Sequence, residues 1–244
     1  MTSRLVALGF DAHDPPVLAR FWAAALRWEV EEAAQNEVRL APTDGTRFGI
    51  HFLAASTPKT GQNRLHLDLT TESLEDQQES VATLLELGGR HIDIGQGPEE
   101  RHVVLADPEG NELCLIEPEN RFLADCGRFG SITCEGTQQV GYFWSAALGW
   151  PLVWDQNEET AIRGPDGTGP LITWGGGPLT PKRGKNRLHL HIAPEEPMGQ
   201  EAEVKRLISL GARRIDIGQS GVDWVIMVDP DGNEFCVLRR ASED

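Results

Sequence analysis

Residues 63–69 read NRLHLDL, and the same pattern returns at residues 186–192 as NRLHLHI. In both stretches an apolar residue alternates with a polar one, which is typical of a β-strand with one apolar and one polar face. Alternate side chains on one strand face are about 7 Å apart, so these polar groups can contact one bound molecule. The other interpretation is a strand that needs only a solvated polar face, and the sequence leaves both open.

The repetition extends far beyond this stretch. Phe21-Trp22 returns 122 residues later as Phe143-Trp144, and the DPEGNE turn that begins at Asp107 returns 122 residues later as DPDGNE at Asp229. Landmarks in one order at one offset indicate a tandem duplication, and each copy has the size of a domain. We therefore predict a first domain over residues 1–118, a linker over 119–127 and a second domain over 128–240.

The composition is that of a globular protein. The chain has 244 residues, of which 39% are hydrophobic and 25% charged, enough for a core in each half. No apolar run approaches the ~20 residues of a membrane span, and the N-terminus has no secretory apolar segment. The four cysteines form no C-x-x-C pair, which favours free thiols in the cytoplasm. A net charge of −16 argues against a nucleic-acid partner and is compatible with a cationic ligand.

Several separated motifs carry a resemblance to a known family. They are Phe21-Trp22, the NRLHLDL stretch, Leu87-Gly88-Gly89, and the turn and strand from Asp107 to Cys114. Together they resemble the glyoxalase-like domain of the glyoxalase/bleomycin-resistance/dioxygenase (vicinal oxygen chelate) superfamily. The resemblance implies an α+β fold of tandem domains, each with two βαβββ units that form a cupped mixed sheet with helices outside. Members include lyases, isomerases, ring-cleaving dioxygenases, and proteins that bind antibiotics without reacting with them.

The resemblance also implies how a divalent metal is held in the enzymatic members: by His or Gln on the first strand, His on the strand opening the second unit, and Glu on the last strand. His66 and His189 match the middle ligand, whereas the last-strand position is Cys114 or Cys236. Neither first strand offers His, Gln or Glu. Each copy is thus expected to supply two ligands at best, with Asp68 a poorly placed third, and catalytic metals need about three.

Cys114 beside His66 suggests a nucleophile–base pair. A small buried thiol that packs in the core is the favoured interpretation, because free cysteine is among the most buried residue types.

We therefore predict a metal-free small-molecule binding protein of the bleomycin-resistance type, which sequesters an aromatic or cationic drug-like ligand. No cofactor is expected; the alternative is a divalent metal at His66 or His189. The alternative functions are a metal-dependent lyase, isomerase or dioxygenase, and a scaffold or sensing module with a vestigial site. We expect a monomer or homodimer, and if one half alone binds, residues 1–118. The candidate ligand-binding residues are His51, His66, Asp68, His102 and Cys114 in copy one, and His189, His191, Trp224 and Cys236 in copy two.

Overall fold

The structure of the protein is a computed structural model, and the residues it describes are 2–32, 37–97, 99–217 and 222–239. Residues 1, 33–36, 98, 218–221 and 240–244 lie outside this description, among them the last residue of the predicted second domain. The described residues form sixteen strands and four helices. None of these helices is both long and apolar enough to cross a membrane.

The elements fall into four consecutive βαβββ units, as the resemblance implied. Unit one comprises β1 (Ser3–Ala12), α1 (Pro15–Leu26), β2 (Glu29–Glu32), β3 (Glu37–Ala41) and β4 (Gly49–Ala54). Unit two comprises β5 (Leu65–Leu69), α2 (Leu74–Glu86), β6 (Arg90–His91), β7 (Val103–Ala106) and β8 (Glu112–Leu115). Unit three comprises β9 (Phe129–Cys134), α3 (Gln138–Leu148), β10 (Leu152–Gln156), β11 (Glu159–Ile162) and β12 (Leu171–Trp174). Unit four comprises β13 (Leu188–Pro194), α4 (Gln200–Ser209), β14 (Arg213–Arg214), β15 (Val225–Val228) and β16 (Glu234–Val237).

Helix α1 has a local side-chain cap and α3 has none, and in both copies an acid of the repeated turn binds the chain at the helix start; in copy one, Glu109 accepts hydrogen bonds from His13 N at 2.9 Å and Asp14 N at 2.7 Å. Before α1, the Asp14 side chain accepts a hydrogen bond from Val17 N at 3.1 Å, and prolines occupy the first helical positions, a favourable start for a helix. Thr137 is the N-cap of α3, but its side chain makes no capping hydrogen bond. The Asp231 carboxylate of unit four instead accepts a hydrogen bond from Thr137 N at 2.6 Å. The start of α3 therefore depends on unit four.

Each sheet joins units from different copies. Sheet A combines units one and four in the order β14-β15-β16-β13-β1-β4-β3-β2, and sheet B combines units two and three in the order β10-β11-β12-β9-β5-β8-β7-β6. The joining pairs, β1 with β13 and β5 with β9, are antiparallel. The predicted α+β fold of four βαβββ units is confirmed. Because the two units of one copy lie in different sheets, the boundaries 1–118 and 128–240 divide the sequence repeat and not the sheets.

The repeated aromatic and turn motifs bind each other. Phe21 and Trp22 are fully buried in the main core. Trp22 Nε1 donates a hydrogen bond to Asp107 Oδ2 at 2.9 Å, and Trp144 Nε1 donates the equivalent bond to Asp229 Oδ2 at 3.2 Å. These contacts tie unit one to unit two and unit three to unit four. The motifs repeat because each copy uses the same hydrogen-bonded contact between its two units.

The arginine of each repeated stretch links the two copies. Arg187 donates a hydrogen bond to the backbone oxygen of Asp11 at 2.7 Å and forms an ion pair with Glu109. Arg64 forms an ion pair with Glu135 at 3.2 Å. Both arginine side chains are buried, where a charge needs a partner. Part of the polar pattern is therefore structural, and the histidines that follow are the better candidates for a site.

Candidate functional site

The period-two alternation turns the polar residues of both stretches away from the main core. On β13, His189 and His191 lie on the side opposite the leucines that pack in the core. On β5, His66 and Asp68 occupy the equivalent side. We call these surfaces face A, on sheet A, and face B, on sheet B.

Face A gathers three side chains of the types that bind metals. The parallel register of β13 and β16 places His191 beside Cys236, and the strand period places His189 on the same face. One donor atom from each residue lies within 4.8 Å of the others, and all three residues are buried. The expectation of two donors at best was wrong for this face and also for face B, where Asp68 is a third donor within the same distance of His66 and Cys114. It counted one histidine per strand, whereas the alternation brings His191 to the same surface as His189.

The two imidazoles of face A have unused nitrogen atoms. Among the described residues, His189 Nδ1 and His191 Nε2 have no hydrogen-bond partner. Burial lowers the pKa of His189 to about 3, and the charge of Lys185 acts in the same direction, while the Arg187 backbone opposes the shift. Burial and the neighbouring imidazoles lower the pKa of His191 well below its ordinary value. Both imidazoles are therefore neutral at ordinary pH, which is the state that binds metals, whereas burial raises the pKa of Cys236 to about 12, so its thiol must release a proton when it binds a metal.

Gly9, Glu37 and His51 of unit one border face A, and the sheet pairing brings them there. Gly9 lies opposite His189 on β13 and beside His51 on β4. A Cβ atom at Gly9 would stand 2.5 Å from His191 Nε2, so the missing side chain makes room for the imidazole. His51 Nδ1 lies 3.0 Å from Glu37 Oε1, and its ring centre lies 6.2 Å from that of His191. Gly9 and Glu37 were not predicted, because neither carries a local sequence signal.

Face B has a different arrangement, built around an acid. His66 Nε2 lies 3.4 Å from Asp68 Oδ1, and Asp68 Oδ2 accepts hydrogen bonds from Ser131 Oγ at 2.7 Å and Thr133 Oγ1 at 2.6 Å. Burial alone would lower the pKa of His66, but the hydrogen bond and charge of Asp68 outweigh it and raise the pKa. Burial would raise the pKa of Asp68, but His66 and the two hydroxyls lower it. Burial, together with Asp68, raises the pKa of the Cys114 thiol. A protonated thiol is a poor nucleophile, which favours the buried-thiol interpretation.

The two faces differ in how well they fit the divalent metal that the resemblance implies. His66, Asp68 and Cys114 also have donor atoms within 4.8 Å of one another. However, Asp68 Oδ2 already accepts hydrogen bonds from two hydroxyl groups, and Asp68 Oδ1 lies 3.4 Å from His66 Nε2, so a metal would have to replace the contact between these two candidate ligands. On face A, His189 Nδ1 and His191 Nε2 have no hydrogen-bond partner among the described residues. The residues of face A therefore fit a metal, and those of face B fit one poorly.

A cavity of about 510 Å³ lies where the two copies meet. Residues 57–64 and the matching residues 180–187 line it, and His66 and Thr133 line it from face B. Of the nine predicted site residues, all of which the structure describes, His66 alone belongs to this lining, so the two matching segments were not predicted. The charged residues of the lining are the cations Lys59, Arg64, Lys182, Arg183, Lys185 and Arg187 and the carboxylates Asp11 and Glu135.

The remaining predicted site residues lie elsewhere. His102 Nε2 lies 3.3 Å from Glu100 Oε2, directly before β7. Trp224 is 38% exposed and directly precedes β15. In the described part of the chain, neither residue belongs to the donor groups of face A or face B or to the lining of the cavity.

The fold and its paired polar faces define a two-copy protein of the vicinal oxygen chelate superfamily. The model of the glyoxalase-like domain matches residues 7–116 and again residues 131–238. The chain therefore belongs to the glyoxalase-like domain family. Among curated proteins, none matches the sequence significantly.

Solved structures of similar fold span the whole chain. A glyoxalase I mutant from Zea mays aligns with a TM-score of 0.65 at 12% identity, over 98% of this chain and 92% of that one. A candidate dioxygenase from Bacillus subtilis subsp. subtilis str. 168 aligns with a TM-score of 0.60 at 13% identity, over 97% of this chain and 84% of that one. At such identities the likeness shows the fold alone.

Proposed function

We propose that this protein binds a small molecule in the cavity between its two copies, with His66 in the cavity wall. The observation that carries the proposal is the cavity itself. Its volume of about 510 Å³ lies within the range of about 300–1,000 Å³ that is usual for small-molecule sites. Because residues 57–64 and 180–187 both line it, the ligand site belongs to both copies and not to residues 1–118 alone.

The lining favours an anionic ligand over the cationic one that the net charge suggested. Six lysine and arginine side chains line the cavity against two carboxylates. Most of these cations form ion pairs, for example Lys59 with Glu112 at 2.5 Å and Lys185 with Asp11 at 2.6 Å. Arg183 is the lining cation that makes no ion pair among the described residues. A carboxylate or phosphate that reaches Arg183 would gain a charge-assisted hydrogen bond.

His66 supplies a second group suited to such a ligand. Its side chain is 26% exposed and lines the cavity, and its pKa is raised, through the hydrogen bond and charge of Asp68, despite its burial. A raised pKa increases the protonated fraction near neutral pH, so His66 can act as a donor to an anion. The Asp68 hydrogen bonds to Ser131 and Thr133 hold the pair in place.

The test compares three probes of one size and different charge: benzoate, benzyl alcohol and benzylamine, with inorganic phosphate as a second anion. We expect benzoate or phosphate to raise the melting temperature, because a ligand at 100 times its Kd stabilises the folded state by about 2.7 kcal/mol. Arg183→Ala should abolish the shift, and Arg213→Ala, a matched exposed arginine on β14, should keep it. Stabilisation by benzylamine alone, or by none of the four probes, would contradict the proposal.

The second candidate is a metal-dependent lyase, isomerase or dioxygenase, which the three donors of face A favour. A divalent metal held by His189, His191 and Cys236 would act as a Lewis acid toward a substrate oxygen. Small-molecule binding remains the first candidate function because it rests on the cavity, and none of these three residues lines the cavity. A scaffold with a vestigial site is the third candidate, and it predicts that no probe binds.

We also propose that a single chain is sufficient for the fold, because each sheet already obtains its partner unit within the chain. The four cysteines are free thiols, which supports a reducing compartment such as the cytoplasm.

A further inference from the structure

We propose that face A is a site for one borderline transition-metal ion, such as Zn²⁺, held by two imidazole nitrogens and one thiolate, and that face B does not hold a second ion. The donors are His189, His191 and Cys236. This inference does not depend on the ligand of the cavity, because the two sites share no residue.

The donor types select the ion. The three nearest donors of face A are two imidazoles and a thiol, with no carboxylate among them. Mg²⁺ and Ca²⁺ require oxygen ligands, whereas Zn²⁺ and its neighbours bind nitrogen and sulfur. This set therefore differs from the His/Gln, His and Glu pattern that the resemblance implies. It predicts preference for a borderline cation over Mg²⁺.

The donor atoms of face A are close to the spacing of a metal site, and no rearrangement of the backbone is required. A tetrahedral ion with bonds of about 2.0–2.3 Å keeps its ligand atoms about 3.5 Å apart. The donor atoms of face A already lie within 4.8 Å of one another, so side-chain movements of about 1 Å close the set. The β13 and β16 backbones that carry them are hydrogen-bonded directly to each other.

The unused nitrogens of face A point to a ligand independently of the distances. His189 is 3% and His191 5% exposed, and each has a buried nitrogen without a hydrogen-bond partner among the described residues. A buried nitrogen atom without a partner is unfavourable, and a bound ion would supply that partner. Gly9 keeps the adjacent position free of a side chain. His51, which Glu37 orients through Nδ1, is the nearest candidate for a fourth donor.

Face B shows what the same positions look like when no ion is expected. The sheet registers make Asp68 the counterpart of His191 and Thr133 the counterpart of Gly9. There, Thr133 Oγ1 donates a hydrogen bond to Asp68 Oδ2 at 2.6 Å. The acid is thus satisfied by the protein, and the chain should bind one ion and not two.

The experiment titrates the chelator-treated full chain with Zn²⁺ and Co²⁺, with measurement of stoichiometry and of the Co²⁺ absorption spectrum. We expect one ion per chain and a thiolate-to-cobalt charge-transfer band. Cys236→Ser should abolish the band and weaken Kd by at least roughly 100-fold, since loss of a mere supporting partner already costs 10–100-fold. Cys114→Ser, the matched change on face B, should leave both unchanged.

Urea unfolding and near-ultraviolet circular dichroism of each variant establish that a loss of binding is not a loss of fold. Where Cys236→Ser is poorly folded, His191→Gln provides the second test, with an expected loss of the same size while the charge-transfer band of any residual complex persists. No ion bound, two ions bound, or an unchanged spectrum in folded Cys236→Ser would each overturn the proposal.

Discussion

Gly9→Ala tests the packing of face A most directly. The added Cβ would stand 2.5 Å from His191 Nε2 and 2.8 Å from His191 Cε1, whereas non-bonded carbon contacts are optimal at about 3.5–4.0 Å. The imidazole must therefore move by about 1 Å in a buried site. Overpacking of this kind costs about 1–3 kcal/mol, and the reduced freedom of the unfolded chain returns about 0.4–1 kcal/mol. We expect a net destabilisation of about 1–2 kcal/mol.

A double-mutant cycle separates this clash from other effects of the alanine. In a His191→Ala background the two nearest atoms are gone, and the next one is His189 Cε1 at 3.2 Å from the added Cβ. There Gly9→Ala should be neutral or stabilising. Gly49→Ala is the control: its Cβ would stand 2.6 Å from the backbone oxygen of Leu40, so its cost should not depend on His191.

The assay is urea unfolding followed by tryptophan fluorescence, with an unchanged m-value as the condition for comparing midpoints. An equal loss from Gly9→Ala in both backgrounds would refute the reasoning, because the clash with His191 would then not be its cause. A loss from Gly49→Ala that disappears together with His191 would refute it as well.

Two further predictions concern buried charges. Glu109→Gln should lower the free energy of unfolding by about 3 kcal/mol in urea titrations, because it removes the carboxylate charge that pairs with the buried Arg187 and weakens the hydrogen bonds that Glu109 accepts from His13 N and Asp14 N; a loss below about 1 kcal/mol would contradict this. Asp68→Asn should destabilise the protein most between about pH 4 and pH 6.5. The stabilisation that comes from the lowered pKa of Asp68 is lost as the pH falls through that pKa. The stabilisation that comes from the raised pKa of His66 is lost as the pH rises through that pKa. A difference from the unaltered protein that grows steadily above pH 6.5 would exclude the proposed ion pair.

Local patterns predicted the parts of the fold that local chemistry determines. The alternation in residues 63–69 and 186–192 correctly indicated strands. The start of α1 likewise has a local cause, because the Asp14 cap and the prolines lie within three residues of one another. In each case the physical cause lies within a few residues of the feature, so a single sequence contains it.

The candidate site was predicted only in part, because its geometry depends on which strands pair. The histidines of β13 were identified, but Gly9 is invisible as a site residue until β1 lies beside them. All units share the same βαβββ order of elements, so this order does not indicate which two units pair in one sheet. Likewise, the ion pair between Arg187 and Glu109 joins residues that no local spacing relates.

The exchange of units between the copies explains how one duplicated sequence can hold two different sites. Each sheet pairs the first unit of one copy with the second unit of the other copy. The two faces are therefore equivalent in backbone and register. Their chemistry then depends on few positions. At two of them, face A has His191 and Gly9 where face B has Asp68 and Thr133. The acid of face B accepts hydrogen bonds from hydroxyl groups, whereas one nitrogen of each imidazole on face A has no partner among the described residues. A change of side chains at equivalent positions is therefore sufficient to give the polar groups of one face partners within the protein and to leave nitrogen atoms of the other face available to a ligand.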